Sequence, residues 1–117
     1  MKEETLQNNF KKGVSTLVVL SLLQKKKMYG YELTQSVEKV SEGKFLLQEG
    51  TLYPVLYRLL DGGFIQDERV LVGKRMTRIY YTITPKGETY LARIRKEYDD
   101  ITNGVRRLLD FADELSE

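Results

Sequence analysis

Eight apolar residues near the C-terminus set the first limit on how this chain folds. Leu91, Ile94, Tyr98, Ile101, Val105, Leu108, Ala112 and Leu115 recur at alternating steps of three and four, the spacing of the a and d positions of a heptad. Thr84-Pro85 ahead of them supplies an N-cap and an N1 proline. A helix running from there almost to the C-terminus would be near 45 Å long, at about 1.5 Å per residue. The whole chain has 117 residues, the size of one domain, and one domain of that size cannot cover so long a face. The stripe therefore predicts a dimer seam, with a second copy as its partner. The same stripe is placed to meet the partner's first helix. Tyr98 interrupts the aliphatic seam and Gly104 weakens the helix, which mark a bend or a ligand pocket.

Upstream the chain divides at Gly30, Gly43, Gly50, Gly62-Gly63, Gly73 and Thr84-Pro85. Residues 6 to 25 read as a first helix. A second runs from about Tyr31 to Val40, with Leu33, Val37 and Val40 on one side. A third lies between Thr51 and Leu60, with Thr51 as N-cap and Pro54 at N3, where its missing N–H breaks no bond. Gly62-Gly63 ends it as a C′ glycine does. Phe64 to Val70 and Arg78 to Ile83 then change period. Ile79, Tyr81 and Ile83 alternate with Arg78, Tyr80 and Thr82, as in a half-exposed strand. Leu71 to Thr77 between them reads as a long hairpin tip. The order predicts a mainly α fold with a two-stranded β wing. It is a winged helix-turn-helix over residues 1–84, followed by a C-terminal dimerisation helix over 85–117.

The chain contains no Cys and no His. That excludes a disulfide framework, a zinc knuckle, a catalytic thiol and a Ser-His-Asp triad, so neither a metal nor a cofactor is expected. Glu32, Glu38 and Glu49 show only helix-surface spacing, so no enzyme is expected either. Val14 to Leu23 is almost wholly apolar but spans about half of what a bilayer needs. Acidic Glu3-Glu4 lies upstream and Lys25-Lys26-Lys27 follows. This run is expected to be a helix buried on nearly all sides, in a cytoplasmic protein with no membrane role.

On the third helix Leu52, Val55, Leu56 and Leu59 share one face, while Gly50, Tyr53, Pro54, Tyr57 and Asp61 face away. Two exposed tyrosines one turn apart are suited to phosphates, base edges and thymine methyls. Gly50 at the helix start lets the backbone approach closely. These residues carry a family likeness. Met28-Tyr29-Gly30-Tyr31-Glu32-Leu33, then Glu49-Gly50-Thr51-Leu52-Tyr53-Pro54-Val55-Leu56-Tyr57-Arg58-Leu59, then Arg78-Ile79-Tyr80-Tyr81-Thr82-Ile83-Thr84-Pro85-Lys86-Gly87 resemble the PadR family of bacterial transcriptional regulators. The resemblance runs from about Gly13 to Gly87. It implies a dimeric winged helix-turn-helix repressor, released from an inverted-repeat DNA operator by a small hydrophobic or phenolic effector. It places that effector between the C-terminal helix, the first helix and the DNA-binding core. Leu60 and Ile79 depart from the family's usual Glu and basic residue, and Trp is absent, which removes an indole platform used by some multidrug-binding members.

The expected DNA contacts are Gln48, Gly50, Thr51, Tyr53 and Tyr57 on the third helix, with Lys74, Arg75, Arg78 and Tyr80 on the wing. Arg69 to Gly87 holds five basic residues and no acidic one. Arginine at a hairpin tip suits the minor groove because it is planar and weakly hydrated. The alternative is a winged-helix protein-interaction module that binds no DNA. The net charge of +2 bears on that choice once divided. Residues 1 to 96 hold 17 basic and 10 acidic side chains, and residues 97 to 117 hold 2 and 7. A basic reading head joined to an acidic helix favours nucleic acid as the partner.

Overall fold

The computed structural model describes residues 6 to 115, so Glu3-Glu4 and the last two residues of the 85–117 segment lie outside it. The chain runs through α1 (Leu6–Lys25), β1 (Met28–Tyr29), α2 (Gly30–Val40), α3 (Glu49–Asp61), β2 (Ile65–Val72), β3 (Met76–Ile83) and α4 (Pro85–Glu114). It is a mainly helical winged helix-turn-helix with a long C-terminal helix.

The core forms where the apolar faces of the first three helices meet the sheet. Val19, Leu20 and Leu23 of α1 pack with Leu33 and Val37 of α2, and with Leu52, Val55, Leu56 and Leu59 of α3. Ile65 and Tyr81 close it from the sheet, and Leu91 from α4. Each buried aliphatic side chain contributes about 1.5–3 kcal/mol relative to exposure. The apolar run of α1 behaves as its composition predicts, since every residue from Val14 to Leu23 is buried or half-buried. Val40 does not follow Leu33 and Val37 inward. It is exposed at the last turn of α2, one turn past the core.

The sheet has three strands in the order β1-β3-β2, not two. β1 is only two residues long and runs straight into α2, too short to show any alternation. It pairs Met28 with Tyr81 and Tyr29 with Tyr80. The hairpin tip is also shorter than expected. β2 and β3 stay paired out to Val72 and Met76, leaving only Gly73, Lys74 and Arg75 in the turn. Leu71, Val72, Met76 and Thr77 continue the ladder because they are strand formers adjoining it.

α3 begins two residues before the expected Thr51. Its N-cap is Gln48, whose carbonyl accepts the N–H groups of Thr51 and Leu52 at 3.0 and 2.8 Å. Pro54 therefore lies inside the helix, and the bond it would have donated to the Gly50 carbonyl is missing. The helix ends as the paired glycines predict. Gly63 adopts φ +76°, with the Gly63 and Phe64 N–H groups bonded to the carbonyls of Leu60 and Leu59. That is a Schellman closure, which favours glycine at this position.

The exit of α3 is stitched to the start of α4. The Thr84 hydroxyl donates to the Gly63 carbonyl at 2.7 Å and accepts from the Gly87 N–H at 3.1 Å. The Lys86 ammonium donates to the Gly62 carbonyl at 2.7 Å and lies over the Phe64 ring. Gly87 is buried so tightly that a Cβ there would collide with the Phe64 carbonyl and the Ile83 side chain. Phe64 stacks on Tyr90 at 4.5 Å.

Candidate nucleic-acid interface

α3 presents three strips to its surroundings. The leucine-valine strip is buried in the core. Opposite it, Gly50 and Pro54 are exposed, and the space above Gly50 is open. The backbone of α3 is thus bare along its outer pole. Tyr53 and Tyr57 occupy the flank toward the sheet, their rings 6.2 Å apart. Arg58 occupies the opposite flank, toward α1.

The two tyrosines differ more than their spacing suggests. Tyr57 is 62% exposed, as expected. Tyr53 is half-buried, and its ring lies against Gly30 at the start of α2, where any Cβ would strike its hydroxyl. The missing side chain at Gly30 is what lets Tyr53 fold back onto the helix-turn-helix. Tyr53 is therefore drawn inward by its hydroxyl end, against Gly30, in contrast to the fully exposed position its helical phase implies. Of the other expected contacts on this helix, Gln48 and Gly50 are exposed and Thr51 is half-buried.

Lys74 and Arg75 are exposed at the hairpin turn. Arg78 and Tyr80 share the outer face of β3. The Arg78 guanidinium lies 4.4 Å from the centre of the Tyr29 ring, and Tyr80 meets the same ring edge-on at 5.4 Å. Lys27 stands over Tyr80 at 5.4 Å. These cation–π contacts hold long, mobile cations in fixed positions. Ile79 points inward against the core, so its departure from a basic residue leaves the outer face intact. Lys86 belongs to α3's C-terminus rather than to the wing, and Lys26 pairs with Glu32 at 3.4 Å.

Two cations escape notice in the sequence. Lys11 and Arg58 are 47 positions apart, yet both line a crevice of about 350 Å³ with Gly50, Thr51 and Pro54. The helical phase of Arg58 relative to Pro54 was the available signal on α3; the approach of Lys11 depends on tertiary packing alone. The outer pole of α3 thus has basic residues on its α1 side and exposed Tyr57 on its wing side, with the Tyr53 hydroxyl turned toward Gly30.

Of the expected dimer stripe, Leu91 is 2% exposed in the protomer's own core and Ile94 packs against it. Tyr98 meets Phe10 of α1 edge-on at 6.4 Å. These three are intramolecular because the first turns of α4 lie against α1 and the sheet. From Ile101 onward no apolar residue of α4 is buried: Ile101, Val105, Leu108 and Leu115 are exposed, as are Leu109 and Phe111 beside them. A groove of about 390 Å³ opens between α1, α2 and α4, floored by Leu17, Val18, Val37 and Phe45 and rimmed by Arg95 and Asp99. Among the described residues no group of acidic side chains could hold a metal, and no helix is long and apolar enough to cross a membrane.

The family described as transcriptional regulator PadR-like matches residues 19–93. The chain belongs to the PadR-like family. It is therefore a member of a family of transcriptional regulators rather than of enzymes. The match takes in α2, α3, the sheet and the first turns of α4. A transcriptional regulator from Mycobacterium tuberculosis is 30% identical over 97 residues, 82% of this chain and 86% of that one. The structure of a transcriptional regulator from Clostridium thermocellum superposes with a TM-score of 0.78 at 27% identity, covering 85% of this chain and 96% of its own. PadR from Bacillus subtilis, solved in complex with operator DNA, gives a TM-score of 0.64 at 28% identity. That match spans 68% of this chain and 45% of the Bacillus one.

Proposed function

We propose that this PadR-like regulator is a sequence-specific DNA-binding repressor that works as a homodimer in the cytoplasm. The observation that supports it most is the bare outer pole of α3, flanked by tyrosines, with cations on α1 and the wing around it. A helix so placed enters a major groove with its backbone close to the bases. Gln48, Thr51 and Tyr57 address base edges, and Tyr53, folded toward α2, faces the DNA backbone. Lys74, Arg75, Arg78 and Tyr80 hold phosphates on either side. That the Bacillus relative is solved in complex with operator DNA supports DNA as the partner.

The exposed distal half of α4 supplies the dimer seam. In a two-fold pair, Ile101 to Leu115 of one protomer would cover the α1 surface and the α4 of the other. The basic domain of residues 1–84 then reads DNA, and the 85–117 helix sets the separation of the two heads. Half-sites of an inverted repeat would stand about 34 Å apart. The groove between α1, α2 and α4 has the volume and apolar floor for a small hydrophobic or phenolic effector. Its binding would tilt α4 against the core and lower operator affinity by the factor with which DNA lowers effector affinity.

The test is a fluorescence titration with a duplex enriched from the protein's own genome and with random duplex, at several salt concentrations. Lys74→Ala/Arg75→Ala should weaken both and reduce the salt slope by about two per protomer. Tyr57→Ala should weaken the enriched duplex alone. Salt-independent or absent binding by the unaltered protein would refute the reading.

A further inference from the structure

A crevice between the start of α2, the flank of α3 and the wing contains polar groups that the fold leaves unused. It measures about 280 Å³, and Gly30, Glu49, Tyr53, Arg78, Ile79 and Tyr81 are among its walls. Tyr81 is 4% exposed, which makes it part of the core. Its hydroxyl makes no hydrogen bond among the described residues, and it is not sealed off either, because no sealed side-chain atom lacks a partner. The small surface that Tyr81 retains thus includes its hydroxyl, and Tyr81 is one of the residues lining the crevice.

That hydroxyl is an odd thing for a core to keep. A phenylalanine would fill the same space without a polar atom, and withdrawing an unpartnered hydroxyl from water costs stability. The Tyr53 hydroxyl, beside Gly30, likewise makes no hydrogen bond among the described residues. The Arg78 guanidinium rests on Tyr29 and makes no ion pair among the described residues. β1 pairs only with Tyr80 and Tyr81, so the β3 edge at Thr77, Arg78 and Ile79 stays open on this side. The first turn of α2 adds N–H groups that no helical carbonyl can reach. Tyr53, Tyr81 and Arg78 line one crevice with the open β3 edge, and Glu49 is the only carboxylate among its lining residues, while Asp67, outside that lining, also acts on the Tyr81 phenol.

We propose that this crevice seats one phosphate of the DNA backbone, bonded by the Tyr81 and Tyr53 hydroxyls and the Arg78 guanidinium, with the start of α2 facing it. The inference rests on the DNA-binding reading above and adds a buried, sequence-independent anchor to it. The anchor fixes the depth of α3 in the groove, because the phosphate sits between helix and wing.

The experiment compares the full chain with Tyr81→Phe, Arg78→Gln and Glu49→Gln on enriched and random duplexes, with melting curves for each. Tyr81→Phe keeps the ring and should weaken both duplexes by the same factor, roughly tenfold, the worth of one hydrogen bond to a charged group. Its salt slope should not change, since no cation is lost. Arg78→Gln should weaken both duplexes and reduce the slope by about one per protomer. Glu49→Gln removes the opposing charge and should tighten both. A Tyr81→Phe protein that melts normally and binds both duplexes like the unaltered chain would overturn the proposal. So would a loss confined to the enriched duplex, which would mean base reading, or weaker binding by Glu49→Gln. If inorganic phosphate competed better than chloride of equal ionic strength while Tyr81→Phe left DNA affinity unchanged, the crevice would be a free-anion site and the assignment to DNA would fail. Absence of salt-dependent binding by the unaltered chain would instead remove the DNA reading itself.

Discussion

Gly87 lies where the exit of α3, the end of β3 and the first turn of α4 converge. Any side chain there meets the Phe64 carbonyl, a backbone group that cannot swing aside. Gly87→Ala should therefore destabilise the chain by roughly 2–4 kcal/mol, in the range of severe overpacking, read as a lower urea midpoint. A substitution that left the midpoint unchanged would show that α4 is free to shift at its base. Tyr81 gives a second test. Burial, and then the neighbouring Tyr53, Tyr57 and Asp67, raise its pKa above the ordinary 10.0. A phenol with a raised folded pKa contributes stability that is complete below pH 10 and is lost as pH rises through the folded value. The melting temperature should fall above pH 10, and Tyr81→Phe should fall less steeply than the unaltered chain. Equal alkaline slopes would argue against burial of that phenol. At this scale local chemistry was legible: Thr84 caps α4 and accepts from Gly87, because a cap depends on a few adjacent residues. The fold-back of Tyr53 onto Gly30, and the meeting of Lys11 with Arg58, depend on helices brought together by the core, which no local spacing records.

Among the elements, α4 shows most clearly what periodicity specifies. The three-four alternation marks which face is apolar, and that face is apolar in the structure. It does not mark what covers each part, so Leu91 and Ile94 read as part of the same seam as Leu108 although they belong to the protomer's own core. The wing shows the converse. Its strands are legible from alternation, but β1 is two residues long and invisible to any period. The start of α3 was displaced because Thr51 is an excellent N-cap by composition, while the chain uses Gln48, whose side chain makes no capping bond. One prediction belongs to α4. Leu108→Glu and Phe111→Glu lie beyond the intramolecular contacts, so each should leave the winged helix folded and yield a monomer. Sedimentation equilibrium should show the dimer dissociation constant raised by roughly a hundredfold or more, the effect of placing a charge in an apolar interface. A dimer of unchanged affinity would place the seam elsewhere.

The molecule as a whole separates its charges along its longest dimension, 69 Å against 33 and 27 Å across. The basic excess lies in the compact end and the acidic excess in the projecting helix. The field therefore orients the reading end toward a polyanion and turns the helix away from it. In the proposed dimer, two heads on one operator would also make binding depend on assembly. Below the dimer dissociation constant, occupancy of the enriched duplex should rise with about the square of protein concentration, and above it linearly. A linear rise at all dilutions, in a mobility-shift titration, would indicate binding by the monomer. The stitching of Gly62, Gly63, Thr84, Lys86 and Gly87 has one more consequence. It couples the end of α3 to the base of α4, so a tilt of α4 is passed to α3 as to the short arm of a lever. A tilt of about 10° at the base sweeps the far end of a 45 Å helix through roughly 8 Å, and the reverse holds as well. A displacement of several ångströms imposed on the distal end arrives at α3 as a small rotation, reduced in amplitude and increased in force. In the proposed dimer the reach of the long arm, more than any residue touching DNA, would set the operator spacing that this regulator tolerates.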